Sequence, residues 1–177
     1  MCAILNVYNQ PNNFTGYKKP LPTKIANLVT YFIQRSKPDF NDKLKLNKQL
    51  FFADFTHYKN YGTSITGLSY RAIKYGPVPA NYDNIFACLE NEHLISSQFL
   101  KLSNGGAREV FISEADFDKK IFNEEEKDTF SNITAKFADM PTWDIVELSH
   151  LEKAWKELEA NRELIGYQDY AFELAAV

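Results

Sequence analysis

Residue types that commonly carry catalysis are scarce in this chain, which has three histidines and two cysteines among 177 residues. No HxxxH, HExxH or CxxC pattern occurs, so the spacing typical of a zinc site is absent. There is also no GxSxG elbow and no glycine-rich loop that would cradle a phosphate group. We therefore predict no metal, no cofactor and no enzymatic activity.

A disulfide framework and long apolar runs are missing as well. Cys2 and Cys88 are the only cysteines, and two thiols without a framework favour a reducing compartment over a secreted scaffold. Residues 1–7 have no basic leader and are too short for an export signal. No window approaches the ~20 apolar residues that a membrane helix needs. We expect a soluble cytoplasmic protein with no membrane partner.

Positive charge is not in excess either. Twenty lysines and arginines face 23 acidic residues, which gives a net charge of -3. This balance argues against a domain that binds nucleic acid through a strongly basic surface. What the chain does have is apolar material: 45% of its residues are hydrophobic and 15% are aromatic. That is enough for one sizeable core.

Helical periodicity begins after an irregular start. Residues 1–22 combine prolines with asparagine and glutamine and predict an irregular arm. Thr23 is a candidate N-cap, and apolar residues at i, i+3, i+4 and i+7 from Ile25 to Phe32 predict the first helix, which Pro38 stops. The rest of the chain, residues 23–177, shows no linker or repeat and is predicted to form one domain.

A central helix is predicted from Asp42, as its cap, to Tyr61, with Gly62 ending it. Its apolar residues cover most of the circumference, which is typical of a helix packed on several sides. Lys45 and Lys48 belong to a narrow polar stripe that remains. We interpret this aromatic-rich helix as the centre of the core.

Extended structure is predicted in two places. The segment from Leu68 to Tyr75 favours a strand, and the following residues up to Val78 predict a stiff loop because two of them precede proline. Asn104-Gly105-Gly106 between two short β-prone runs indicates a hairpin. The predicted fold class is mainly α (α+β): a single compact helical domain around the central helix, with a small β-hairpin.

Helical signals return in the last third of the chain. Asn123 and Glu126 match a capping box. Pro141 opens another helix that is predicted to continue through Trp155 toward Gly166. On one continuous helix, His150 and Trp155 would lie on roughly opposite faces.

A few side chains are candidates for binding a partner. Lys45 and Lys48 share one helical face and would either receive an acidic partner or form a solvated stripe. Asp54 follows an apolar run and would be costly to bury without hydrogen bonds. The loop after Tyr75 is either a preorganised recognition edge or a simple corner. The full candidate set is Lys45, Lys48, Asp54, Tyr61, Tyr75, Gly76, Pro77, Val78, Tyr82 and His150.

An enzymatic alternative is a hydrolase that uses His150 with Asp144 or Glu147. Helical spacing places Glu147 and His150 on one face, but it does the same for many pairs without chemistry. A structural, hydrogen-bonded histidine is the competing interpretation.

Several segments together resemble the Panacea domain, also called the SocA-like or GepA-like phage-associated domain. The likeness runs from about residue 24 to residue 165, and the combination of motifs is specific. The matching segments are KLNKQLFFAD at 45–54, ITG at 65–67, Tyr70, KYGPVP at 74–79, WDIVELSH at 143–150 and Trp155.

The resemblance implies a bacterial, non-enzymatic antitoxin that binds a cognate protein toxin directly. The toxins of this family include alarmone-synthetase-like enzymes that shut down translation. SocA-like members also act as adaptors that deliver a toxin to a Clp protease, which is the alternative function. Many relatives carry a helix-turn-helix domain, but residues 1–22 are too few for one, which argues against DNA binding in cis. Exposed tyrosines, particularly Tyr61, Tyr75 and Tyr82, are the expected contacts.

The end of the sequence suggests one more hypothesis. Residues 173–177 form a small, apolar tail of the kind that Clp-type unfoldases recognise. An exposed tail would set the lifetime of the protein. The competing interpretation is a frayed helix end.

Overall fold

The computed structural model describes residues 7–177, so expectations that involve Cys2 lie outside the described residues. Within this range the chain forms a mainly helical domain with two small antiparallel sheets. The helices are α1 (Pro22–Arg35), α2 (Lys43–Tyr61), α3 (Tyr82–Asn91), α4 (Glu124–Phe137), α5 (Thr142–His150), α6 (Lys153–Leu158) and α7 (Tyr167–Tyr170). The strands are β1 (Tyr70–Ile73), β2 (Gly76–Pro79), β3 (Ile95–Lys101), β4 (Ala107–Ser113) and β5 (Leu164–Ile165).

Helix α2 lies at the centre, as its sequence predicts. The Asp42 carboxylate accepts a hydrogen bond from the backbone N–H of Lys45, and Gly62 ends the helix in the left-handed conformation. Helix α2 contacts α1, α4, α5 and β2. The predicted mainly α, α+β fold class is confirmed.

Helix α1 begins slightly earlier than its sequence suggests. Pro22, not Thr23, is the first helical residue, and Leu21 is the N-cap without a side-chain cap. Proline suits that position because its missing N–H would have no helical partner there. The backbone N–H of Leu21 instead donates to the Thr66 carbonyl, 3.0 Å away. The prediction of a Thr23 cap is therefore wrong.

The arm before α1 packs against the loop that follows α2. Ser64 Oγ donates to the Thr15 carbonyl at 2.7 Å, and the Ser64 N–H donates to the Gly16 carbonyl at 2.9 Å. Gly16 has a φ of +58° and lies so close to Ser64 that a side chain would collide with it. The arm is thus joined to the domain, with one short 3-10 turn at Asn13–Thr15.

The first sheet has the strand order β2-β1-β5, and both pairings are antiparallel. Tyr70 pairs with Pro79 in β2 and with Ile165 in β5. The segment that was predicted as a loop from Tyr75 to Val78 is therefore mostly strand, with Lys74 and Tyr75 forming the turn. Val78 precedes proline and therefore favours extended backbone, and β2 tolerates its two prolines because it is an edge strand.

The second sheet is the β3–β4 hairpin, and here the prediction from Asn104-Gly105-Gly106 is confirmed. The predicted capping box at the start of α4 is also confirmed, with both hydrogen bonds between Asn123 and Glu126 present. Glu126 is buried and pairs with Lys18 and Lys24. Burial raises the pKa of Glu126, but the two lysines outweigh that effect and lower it overall.

The last helical segment does not continue as predicted. Helix α5 ends at His150, and α6 begins at Lys153 after an extended Glu152. The chain turns at this break, so the rings of His150 and Trp155 stack at 3.8 Å instead of lying on opposite faces. The prediction of one continuous helix is wrong.

The C-terminal tail docks on this break. The Glu152 carboxylate accepts hydrogen bonds from the backbone N–H groups of Ala175 and Ala176, each at 3.0 Å. Lys136 donates to the Ala176 carbonyl. Ala175 is exposed, but Ala176 is buried, so the tail is neither fully exposed nor a frayed helix end.

Among residues 7–177, no helix has the length and apolar character needed to cross a membrane. In the same range, no group of three or more His, Cys, Asp and Glu side chains could hold a metal ion. Cys88 is buried on α3.

Candidate partner-binding surface

Lys48 of α2 packs against the buried side of the β1–β2 hairpin. Its side chain is fully buried, and its Nζ donates to the Pro77 carbonyl at 3.0 Å. A Cβ on Gly76 would lie 2.5 Å from Lys48 Cε and 2.2 Å from Ser149 Oγ, so a larger residue would force these side chains to shift. Gly76 also has a φ of +95°, which other residues rarely adopt. The hairpin therefore lies directly on α2 and α5.

Both sequence interpretations of Lys45 and Lys48 place their ammonium groups in solvent, and the structure buries both. Burial lowers the pKa of Lys48 to about 7, and the nearby Asp42 only partly opposes that shift. Lys48 is therefore not a contact for an acidic partner in this conformation.

We expect a Lys48→Met substitution to reduce the dependence of stability on pH. The unfolded chain keeps Lys48 protonated up to about its ordinary pKa of 10.5, whereas the folded chain releases the proton at about 7. Between those values the unfolded state binds more protons, so stability rises with pH by at most about 1.4 kcal/mol per pH unit. Urea unfolding at several pH values between about 7 and 9 measures this contribution.

Lys101→Met, at an exposed lysine on β3, is the control and should keep the wild-type pH dependence. A Lys48→Met protein with an unchanged pH profile would show that this ammonium group stays protonated in the fold.

Lys45 binds free carbonyl groups at the C-terminal end of α4. Its Nζ donates to the carbonyls of Ala138 and Met140, both at 2.8 Å. Lysine side chains stabilise helix C-termini because they satisfy free carbonyls and complement the helix dipole. Burial lowers the pKa of Lys45 to about 8, partly opposed by Asp42 and Asp139.

Asp54 fixes the loop between α2 and β1. One carboxylate oxygen accepts from the backbone N–H groups of Ile65 (2.8 Å) and Thr66 (2.9 Å). The other accepts from the Thr66 hydroxyl and from Tyr70 Oη, the latter at 2.7 Å. Burial raises the pKa of Asp54, and these four hydrogen bonds oppose the rise. The expectation of a buried, hydrogen-bonded carboxylate is confirmed.

Two aromatic side chains meet in solvent at the turn of the hairpin. The rings of Tyr75 and Trp143 contact edge to face, with centroids 5.9 Å apart. Tyr75 is 40% exposed and Trp143 is 53% exposed. Trp143 was part of the matched segments but was not among the candidate contacts. The sequence signal that could have identified it as exposed was its position in α5, beside the buried Thr142 and off the face formed by Ile145 and Val146.

The third aromatic of this surface is the half-buried Tyr82, at the start of α3. Tyr75 and Tyr82 line the same groove, and Trp143 lines an adjoining one with Lys43 and Arg108. We call the region around Tyr75, Trp143 and Tyr82 the hairpin surface. Sequence reasoning found two of these three residues. Gly76, Pro77 and Val78 lie buried beneath the surface and shape it without being exposed.

Tyr61 lies elsewhere. It is 44% exposed at the last position of α2 and contacts the ring of His57. Lys48 packs beneath the hairpin. With a rise of 1.5 Å per residue, Tyr61 lies about 20 Å from Lys48 along the axis of α2. The structure therefore separates Tyr61 from the hairpin surface.

His150 packs behind the hairpin, against Trp155. Its ring stacks on Trp155, whose Nε1 donates to the Ile73 carbonyl at 2.8 Å. His150 Nε2 is buried and has no hydrogen-bond partner. Burial and the positive charge of Lys48 lower the pKa of His150, opposed by a hydrogen bond with the Lys74 backbone.

The comparison with known families agrees with the motifs in the sequence. The family model described as "Antitoxin SocA-like, Panacea domain" matches residues 46–156. No curated protein and no solved structure matches the chain. The matched range contains most of α2, the β1–β2 hairpin and α5, and therefore the three residues of the hairpin surface. Because the match covers more than half of the sequence, the chain belongs to the family of SocA-like antitoxins with a Panacea domain.

Proposed function

We propose that this protein is a non-enzymatic antitoxin that neutralises a cognate protein toxin by direct contact through the hairpin surface. The observation that carries the proposal is the exposed pair formed by Tyr75, at the turn of the hairpin, and Trp143 on α5, both within the matched Panacea domain. Tyrosine and tryptophan are enriched at the residues that contribute most to binding energy in protein interfaces. Two such rings side by side in solvent are therefore suited to entering pockets on a partner.

The support beneath the hairpin strengthens the proposal. Lys48 and Trp155 donate hydrogen bonds to backbone carbonyls of β2 and β1, at 3.0 and 2.8 Å. A surface that is already ordered before binding loses little conformational entropy when the partner docks. An interface of about 800 Å² on each partner would suffice to cover the active site of a toxin. An alarmone-synthetase-like enzyme is the toxin class that the family suggests.

The test is co-expression with the product of the adjacent reading frame. We expect that product to stop growth when expressed alone, growth to resume when this protein is co-expressed, and the two proteins to purify as a complex. Rescue without a physical complex would contradict neutralisation by direct contact. Repeating the rescue in a strain without Clp proteases separates the alternative, because an adaptor that delivers the toxin to a protease would fail there.

A further inference from the structure

We propose that the groove beside Tyr75 binds an acidic segment of the partner protein, an inference that rests on the proposed antitoxin function and specifies the chemistry of its contact. The groove has a volume of about 400 Å³. Three of its lining residues are cationic and none is acidic, and we call it the cationic groove. Its lining residues are Arg71, Ile73, Lys74, Tyr75, Tyr82 and Arg162.

A concentration of positive charge here contrasts with the whole chain, whose net charge is -3. The pairing of β1 with β5 brings these positive charges together. Strand β1 carries Arg71, and its antiparallel partner β5 follows directly after Arg162 and Glu163. Lys74 is added by the turn between β1 and β2. Cations that lie far apart in the sequence therefore converge on one edge of the first sheet.

Within residues 7–177, the ion pairs found do not neutralise these three positive charges. Lys74 is exposed, and its Nζ lies 5.4 Å from the centre of the Tyr75 ring. None of the ion pairs found in that range involves Arg71, Lys74 or Arg162. Nearby carboxylates have other partners: Asp83 pairs with Lys43 at 3.2 Å, and Glu163 accepts from Asn161 at 3.0 Å.

One of the three cations, Arg71, is also held in place before any ligand arrives. Arg71 Nη1 donates to the Arg162 carbonyl at 2.5 Å, which fixes the guanidinium against the chain that leads into β5. Arg162 itself has a φ of +53°. A guanidinium with free N–H groups in a fixed orientation suits the two oxygens of a carboxylate.

An acidic polypeptide fits this groove better than a nucleic acid does. Nucleic-acid affinity comes from many phosphate contacts along a basic track, and it falls steeply with salt. Here three cations share a single short groove on a protein with a net negative charge, which disfavours a long polyanion. Aspartate or glutamate side chains can face the cations while neighbouring side chains of the same segment pack on Tyr75 and Tyr82.

The experiment uses the double variant Lys74→Glu/Arg162→Glu, which reverses the charge of the groove at two exposed positions. The control is Lys101→Glu/Lys120→Glu, which makes the same change in net charge at exposed residues elsewhere. The probes are the co-purified toxin, a fluorescein-labelled glutamate-rich peptide, a lysine-rich peptide of equal length and a single-stranded oligonucleotide. Circular dichroism verifies that both double variants stay folded.

We expect the groove variant to associate with the toxin at least roughly tenfold more slowly than the control at low salt, because charges at the rim of an interface act mainly on the association rate. Salt at about 1 M should abolish that difference, since the Debye length falls to ~3 Å. The glutamate-rich peptide should bind the wild type and the control but not the groove variant.

Equal toxin association by the groove variant and the control would overturn the inference while leaving the antitoxin function intact. Tighter binding of the oligonucleotide than of the glutamate-rich peptide would also overturn it. If no toxin associates with the wild type, the proposed function fails, and the peptide measurements decide alone whether the cationic groove selects carboxylates.

Discussion

Replacing Asp54 by alanine should lower the free energy of unfolding by about 3–5 kcal/mol, because the change leaves several buried donors without an acceptor. Those donors are the N–H groups of Ile65 and Thr66 and the hydroxyls of Thr66 and Tyr70. A domain of this kind has a total stability of about 5–15 kcal/mol, so the loss is a large share. Urea titration followed by circular dichroism measures the effect.

Asp54→Asn is the matched control for that experiment. Its amide oxygen can still accept from the two backbone N–H groups, and its NH₂ can donate to hydroxyls that rotate. We expect a smaller loss of about 1–2 kcal/mol for this variant. Equal losses for the asparagine and alanine variants would show that charge, not the number of acceptors, stabilises the loop. A loss below about 1 kcal/mol for alanine would contradict the structural role of Asp54.

Replacing both Tyr75 and Trp143 by alanine should weaken toxin binding by about 2–4 kcal/mol, which corresponds to a roughly 30- to 700-fold higher Kd. Rescue from the toxin should be lost in cells. Stability should change little because both side chains are largely exposed and most surface substitutions cost less than about 0.5 kcal/mol. Isothermal titration calorimetry with the purified toxin gives the change in Kd, and urea unfolding gives the change in stability.

Phe172→Ala is the control for exposed aromatic area. Phe172 is 63% exposed and contacts Tyr58 in the last turn of α2, away from the hairpin. Tyr61→Ala tests the other tyrosine that the sequence suggested at the same end of α2. If Tyr61→Ala abolishes rescue and the Tyr75/Trp143 variant does not, the partner docks at the end of α2 and not on the hairpin surface.

Features with a local cause were predictable from the sequence. The bounds of α2 follow from the Asp42 cap and from Gly62, and the start of α4 follows from Asn123 and Glu126. In each case the signal and its effect lie within a few residues of one another. The same is true of the β3–β4 hairpin.

Features that depend on distant segments were not predictable in the same way. Lys48 looks like a solvated lysine until β2 folds over it. Arg71 and Arg162 become neighbours only because β1 pairs with β5. The stacking of His150 on Trp155 depends on the break between α5 and α6, which has no glycine or proline to announce it. Hydrophobic periodicity therefore predicted the helices, whereas the hairpin surface depends on how the helices and strands pack against one another.

The hairpin segment 74–77 contains two kinds of position, buried ones that pack on α2 and α5 and exposed ones at the turn. Pro77 and Gly76 meet α2 and α5 in the interior, whereas the side chains of Lys74 and Tyr75 are exposed. Outward side chains can then be exchanged without disturbing the scaffold. A library randomised at Lys74, Tyr75 and Trp143 should consist mainly of folded proteins, and if the proposed function holds, selection against unrelated toxins should change which toxin is bound.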